Sequence, residues 1–249
     1  MSSNGSALNG SGAGEGGPPV VRRGCLIGVI LLTVMVSGLG YMFISTLSEM
    51  MPPEELRPYA ELESTLELVH SKAPAPGAGA QLNEDDVRFY LNALDSVNAP
   101  WEQLQPAISA EVEKSGEKID IIRSMEEFKE MVHLPFYSRR ALVNYLNREG
   151  KSWDEYLWAK TRVVAAAGIT QQDAQNALRA LYDKYFVLEQ QEDVMQTIHE
   201  GSDGFYQKVD SLQKAGMDSA ETALVMPYRE VLFDKGLHSL VGIEMMFPE

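Results

Sequence analysis

The spacing of hydrophobic and polar positions changes character twice along this chain. From Gly24 to Ser48 the sequence GCLIGVILLTVMVSGLGYMFISTLS runs 25 residues without a charge, bounded by Arg22-Arg23 and by Glu49. A bilayer's hydrocarbon core takes about 20 apolar residues in helical form. A lone span must also pair its backbone amides internally, so the stretch predicts a single transmembrane helix. A cleaved signal peptide would have a core of about 7–15 residues ending at small residues, whereas Ser37-Gly38-Leu39-Gly40 lies inside this run. Cys25 opens the run instead of closing it, against a lipoprotein. The core after Arg22-Arg23 is too apolar for a twin-arginine signal.

Beyond the span the period becomes helical. Glu54 to Ser71 places Leu56, Tyr59, Leu62, Leu66 and Val69 on one face of a short juxtamembrane stalk helix. The APAPGAGA stretch, Ala73 to Ala80, has two prolines and no period, and reads as a spacer lifting the next domain off the membrane. From Leu82 onward, side-chain acceptors three residues before an acid mark helix starts. Asn83/Asp86 opens a helix to about Ser96, and Ser124/Glu127 one that stops before Pro135. Ser152/Glu155 opens one ending at Gly168, and Thr170/Asp173 the longest, to about His199. Trp101–Lys114, Phe136–Glu149, Ser202–Lys214 and Ser219–Phe247 also carry helical spacing, the last broken at Pro227 and Gly236. Lys118–Ile122 alternates like a strand, but a lone strand has no partner. The helix Trp153–Ala167 is apolar on more than one side, as a helix packed between others is. The stripe Ala174, Leu178, Leu181, Tyr185, Leu188 starts at coiled-coil spacing and then slides round, which favours a bundle over a two-stranded coil.

The fold class expected is all-α: one transmembrane helix plus an irregular multi-helix bundle as the exported domain. Its parts are a disordered cytoplasmic tail at 1–23, the span at 24–48, the stalk helix at 49–72, the Ala/Pro/Gly linker at 73–81 and a periplasmic helical domain at 82–249. The tail is Gly/Ser/Asn/Ala-rich, with too little apolar surface to offset the entropy of ordering.

Charge sets the orientation. Arg22 and Arg23 precede the span while Glu49, Glu54 and Glu55 follow it, so the N-terminus is expected in the cytoplasm. Residues 1–24 carry +1, which leaves −16 of the chain's net −15 on the remainder. Such a domain repels phosphate backbones and anionic lipid, arguing against nucleic acid as a partner. The single cysteine is Cys25, so the exported part has no disulfide. The two N-x-S sites, Asn4-Gly5-Ser6 and Asn9-Gly10-Ser11, fall in the tail. Together these favour a bacterial inner membrane with a periplasmic domain. Gly24 and Gly28 form a GxxxG, a surface through which two copies would approach as a homodimer.

The motifs of phosphate loops, CxxC pairs, HExxH, GxSxG elbows and acidic calcium loops do not occur. Two Glu-x-x-His elements do, Glu67/His70 and Glu130/His133. Such elements can supply a di-iron centre when both residues project into a bundle. Here the apolar arc Ile121, Met125, Phe128, Met131, Val132 turns Glu130 and His133 toward solvent, and the spacer separates Glu67 and His70 from the domain. His199-Glu200-Gly201-Ser202-Asp203 reads as a helix stop, its histidine favoured by the helix dipole. Trp153, Tyr156 and Trp158 read as core, with a small-molecule pocket as the rival use. The expectation is a membrane-anchored acidic helical domain, without enzyme activity or cofactor, that meets protein partners. A tethered metal-binding bundle using the Glu-x-x-His pairs is the alternative.

Overall fold

The computed structural model describes residues 52–77, 79–116, 119–120, 133–187 and 191–242. The chain divides into two units, Met1–Ser48 and Glu49–Glu249, and every described residue belongs to the second. The tail, the apolar run 24–48 with Cys25, Gly24 and Gly28, the helix opened by Ser124, and Glu130 lie outside the described residues. Among the described residues no helix is long and apolar enough to cross a membrane.

The unit is mostly helical, as its periodicity requires. Its elements are α1 (Leu62–Glu67), α2 (Glu84–Ser115), α3 (Leu134–Glu149), α4 (Trp153–Ala166), α5 (Gln171–Tyr185), α6 (Gln191–Ala215), α7 (Ser219–Val225), α8 (Arg229–Asp234) and α9 (Leu237–Leu240). Two 3-10 turns, Glu54–Tyr59 and Met226–Tyr228, accompany them. The helix starts read from sequence are made by the expected atoms. Asn83 accepts from the Asp85 and Asp86 amides while Asp86 takes the Asn83 amide, and Ser152 with Glu155 repeats the exchange. Thr170 and Asp173 bond reciprocally at the head of α5. Each such cap contributes about 1 kcal/mol. Helix α4 runs out into Gly168, whose φ of 63° suits glycine.

Helix α2 packs on α3 and on α4; α4 packs on α6, and α6 on α5. The short α9 wedges between α2 and α5. One continuous core results, which includes Tyr90, Leu94, Leu142, Tyr156, Val163, Leu178, Val209 and Leu240.

Tertiary packing overrides several local signals. Helix α2 is a single element of 32 residues through Pro100 and Pro106, where two helices were expected. Each proline removes one amide from the ladder. The buried stripe nevertheless continues through Val97, Trp101 and Ile108, and Ser138 Oγ donates to the Val97 carbonyl at 2.8 Å in the turn Pro100 disturbs. The helix from Thr170 ends at Tyr185, because Phe186–Val187 pairs in parallel with Ile119–Asp120. The strand-like stretch near Lys118 therefore does have a partner. The stop expected at 199–203 is absent: α6 passes through Gly201 and Gly204. Ser202 Oγ bonds back to the Ile198 carbonyl at 2.9 Å instead of capping a new helix. Phe205, Tyr206 and Val209 are buried one and two turns on. Burying two aromatics outweighs about 1 kcal/mol per glycine.

The largest correction concerns the stalk. Residues 52–71 form no continuous helix and do not stand apart. They make a 3-10 turn and the short α1, and they lie against α3, with Leu56, Thr65 and Val69 at or below 1% exposure. The arm thus packs on the helical domain instead of being held off it. The five apolar positions of the arm have a surface to cover on α3, and burial there is favourable at about 25 cal/mol per Å².

Candidate functional site

Charged side chains enclosed by the fold are the first place to look for chemistry, since burying a charge is costly unless it is paired. Three such charges, Arg139, Lys160 and Glu221, occur among the described residues, and the buried His238 makes a fourth node.

Arg139 on α3 and Lys160 on α4 are both fully buried. Arg139 Nη1 donates to the carbonyls of Tyr59 and Ala60, each at 2.9 Å. Those are the carbonyls at the end of the first 3-10 turn, where helix geometry leaves acceptors unused and partial negative charge collects. Lys160 Nζ does the same for the last helix. It donates to the Ser239 carbonyl in α9 at 2.6 Å and lies 4.6 Å from the centroid of the Phe205 ring. Tyr206 Oη donates to the neighbouring Leu240 carbonyl at 2.9 Å, and Tyr156 Oη meets Ser239 Oγ at 3.1 Å. Ser, Lys and Tyr in one cluster is a constellation that nucleophilic enzymes use. Here Tyr156 and Lys160 are fully buried and Ser239 is 1% exposed. The cluster fastens α9. Both buried cations thus clamp helix C-termini, one on the arm and one on the last helix.

The third node is Glu221 on α7, 2% exposed. Its Oε1 accepts from Arg162 Nε at 3.0 Å, Arg162 Nη2 at 2.7 Å and the Leu82 amide at 2.6 Å, and its Oε2 accepts from Nη2 at 2.8 Å. Gln81 donates to Asp218 at 2.8 Å beside it. The start of α2, the middle of α4 and the head of α7 therefore meet at one carboxylate. A cavity of about 350 Å³ opens over this node, lined by Gln81, Arg162, Leu212, Met217, Asp218 and Glu221 among others.

The fourth is His238 on α9. Its ring lies 4.8 Å from Trp101, and Nδ1 faces Asn98 Oδ1 at 3.2 Å. Asn98 in turn donates to Glu102 at 3.0 Å. Burial pushes the imidazole down to about 4, so it is neutral at pH 7. Two tyrosines are also displaced. Hydrogen bonds from Lys184, Gln105 and Ser109 bring Tyr185 down to about 8, and burial, helped by Glu149, raises Tyr145 to about 12.

Of the metal candidates that lie among the described residues, Glu67 and His70 are not brought to His133. Glu67 and His70 are exposed on the arm, where the His70 amide donates to Asn147 Oδ1 at 2.7 Å near the far end of α3. His133 is buried, not turned to solvent as its helical spacing implied. It stands at the head of α3, its carbonyl accepting the Phe136 and Tyr137 amides and its ring 6.3 Å from Phe136. Fourteen residues of helix separate it from Asn147, about 20 Å at 1.5 Å per residue. Among the described residues no group of three or more His, Cys, Asp or Glu is placed to hold a metal ion. His199, expected at a helix end, lies within α6, where Nδ1 meets Gln175 and Nε2 lies 3.6 Å from Asp203.

Trp153 and Tyr156 are core, at 7% and 0% exposure, and Trp158 is half-buried with Arg162 5.8 Å from its ring. They leave the cavity to other residues. Sequence reasoning passed over Arg139, Lys160 and Glu221. The available signal was spacing: Lys160 falls between Tyr156 and Val163 on the face that periodicity assigns to the interior. Comparison with protein-family models, with curated proteins and with solved structures yields no match, so the site is read from its own geometry.

Proposed function

We propose that this chain is a single-pass membrane-anchored protein, its N-terminus cytoplasmic and its acidic helical domain on the far side of a bacterial inner membrane. The domain serves there as a non-catalytic module that engages other proteins. The anchor rests on one observation, the 25 uncharged residues between Arg23 and Glu49. The role is supported by how the domain's buried charges are used. Arg139, Lys160 and Glu221 bond to backbone groups and to Arg162, holding chain ends and helix junctions in place. That is the pattern of a rigid frame offering its outer surface.

Two measurements test the two halves separately. Reporter fusions after Glu49 should be active on the exported side only, and alkaline carbonate should leave the protein in the membrane fraction. Cytosolic reporter activity, or release by carbonate, refutes the anchor. Crosslinking in intact cells followed by affinity capture should recover defined protein partners of the full chain. Recovery of none, with the domain folded, refutes the role.

A further inference from the structure

The arm 52–71 is held by residues about 80 positions further along the chain. Arg139 grips the Tyr59 and Ala60 carbonyls, Asn147 takes the His70 amide and donates to the Leu68 carbonyl, and Ser71 pairs with Ser152. These polar contacts all go to arm backbone, so the arm of any copy would satisfy them equally. Among the described residues, by contrast, 73–77 make no hydrogen bond outside the stretch 71–80. The next tie to the body comes at Gln81 and Leu82. Pro74 and Pro76 each lack an amide donor and keep Ala73 and Ala75 extended. An extended connector of this kind, tied to the body only beyond its end, is a hinge.

We propose that two copies of this chain exchange arms through this hinge, each 52–71 segment seating on α3 of the partner copy. The closed and exchanged forms make the same arm contacts, so the balance is set by the hinge and by local concentration. Stiff extension of residues 73–76 favours exchange. Confinement of copies to one membrane plane adds to it; for that term alone the inference rests on the anchoring proposed above.

The test uses the full chain in detergent micelles with Cys25→Ser throughout. One copy carries Ser71→Cys and one tag, the other Lys151→Cys and a second tag, and a short bis-maleimide links the thiols. A covalent product bearing both tags is expected, its share rising with the protein-to-detergent ratio. That share should fall several-fold when Asn147→Ala is placed in the receiving copy, and again when Gly-Ser residues lengthen the hinge. A two-tag product indifferent to both changes reports neighbour contact without exchange and overturns the proposal. So does a single chain bearing both cysteines that links internally while no two-tag product forms at any ratio. Carbonate extraction reads the anchor independently, so the two failures are distinguishable.

Discussion

Replacing Glu221 by glutamine changes one oxygen to an amide and should destabilise the domain strongly. Four hydrogen bonds converge on that carboxylate, three of them from Arg162, whose side chain is 14% exposed. The variant leaves the guanidinium enclosed without its counter-charge and points an amide donor at it. Removing one partner of a buried pair costs about 3–5 kcal/mol. The residual exposure of Arg162 lets water recover part of that, so about 2–4 kcal/mol is expected. Against a typical stability of about 5–15 kcal/mol the loss is large. At a urea slope of about 2 kcal/mol per molar it moves the midpoint by about 1–2 M. Urea unfolding followed by fluorescence of the buried Trp101 and Trp153 measures it, and amide exchange should quicken first at Leu82. The double variant Arg162→Met, Glu221→Met should lose less than Glu221→Gln alone. With no charge left enclosed, its main cost is the unsatisfied Leu82 amide, about 1–3 kcal/mol. A loss below about 1 kcal/mol for Glu221→Gln, or a double variant less stable than the single, refutes the claim that this node ties α2, α4 and α7 together.

Three further outcomes follow from the same geometry. The folded His238 imidazole lies at about 4 against 6.5 unfolded, so between those values the unfolded chain binds the extra proton and stability falls as pH drops. At about 1.4 kcal/mol per pH unit the contribution is about 3 kcal/mol, present above pH 6.5 and gone by about pH 4; His238→Gln should flatten that part of a pH–stability curve. Absorbance at 295 nm should show one tyrosine ionising near pH 8, lost in Tyr185→Phe, because Lys184, Gln105 and Ser109 stabilise the phenolate. Gly236→Ala should destabilise by about 1–3 kcal/mol in urea unfolding, since its Cβ would stand 2.5 Å from the Leu232 carbonyl and 3.0 Å from Leu94 Cδ1; an unchanged midpoint would contradict the close approach.

Helix starts were legible in the sequence because a cap is chemistry between residues three apart. Asn83 finds Asp86 and Ser152 finds Glu155 whatever the rest of the chain does. Some stops were legible too, as where α4 runs out into Gly168, but the breakers inside α2 and α6 misled. Pro100 and Pro106 in α2, and Gly201 and Gly204 in α6, are breakers whose local cost was overcome by distant packing partners. Glu221 illustrates the same limit for the site: nothing within ten positions of it indicates that its carboxylate will receive Leu82 and Arg162.

Composition and short-range order thus settle the class of this protein: one long uncharged run, an acidic remainder and a chain of capped, amphipathic helices. Their arrangement came from contacts between residues far apart. The arm folds back because Arg139 and Asn147 lie on α3 where its carbonyls end, and two strand fragments exist because Ile119 meets Phe186. Periodicity records which face of a segment is apolar. Which surface will cover that face, and which buried charge will answer which carbonyl, depends on a third dimension that spacing along the chain does not encode.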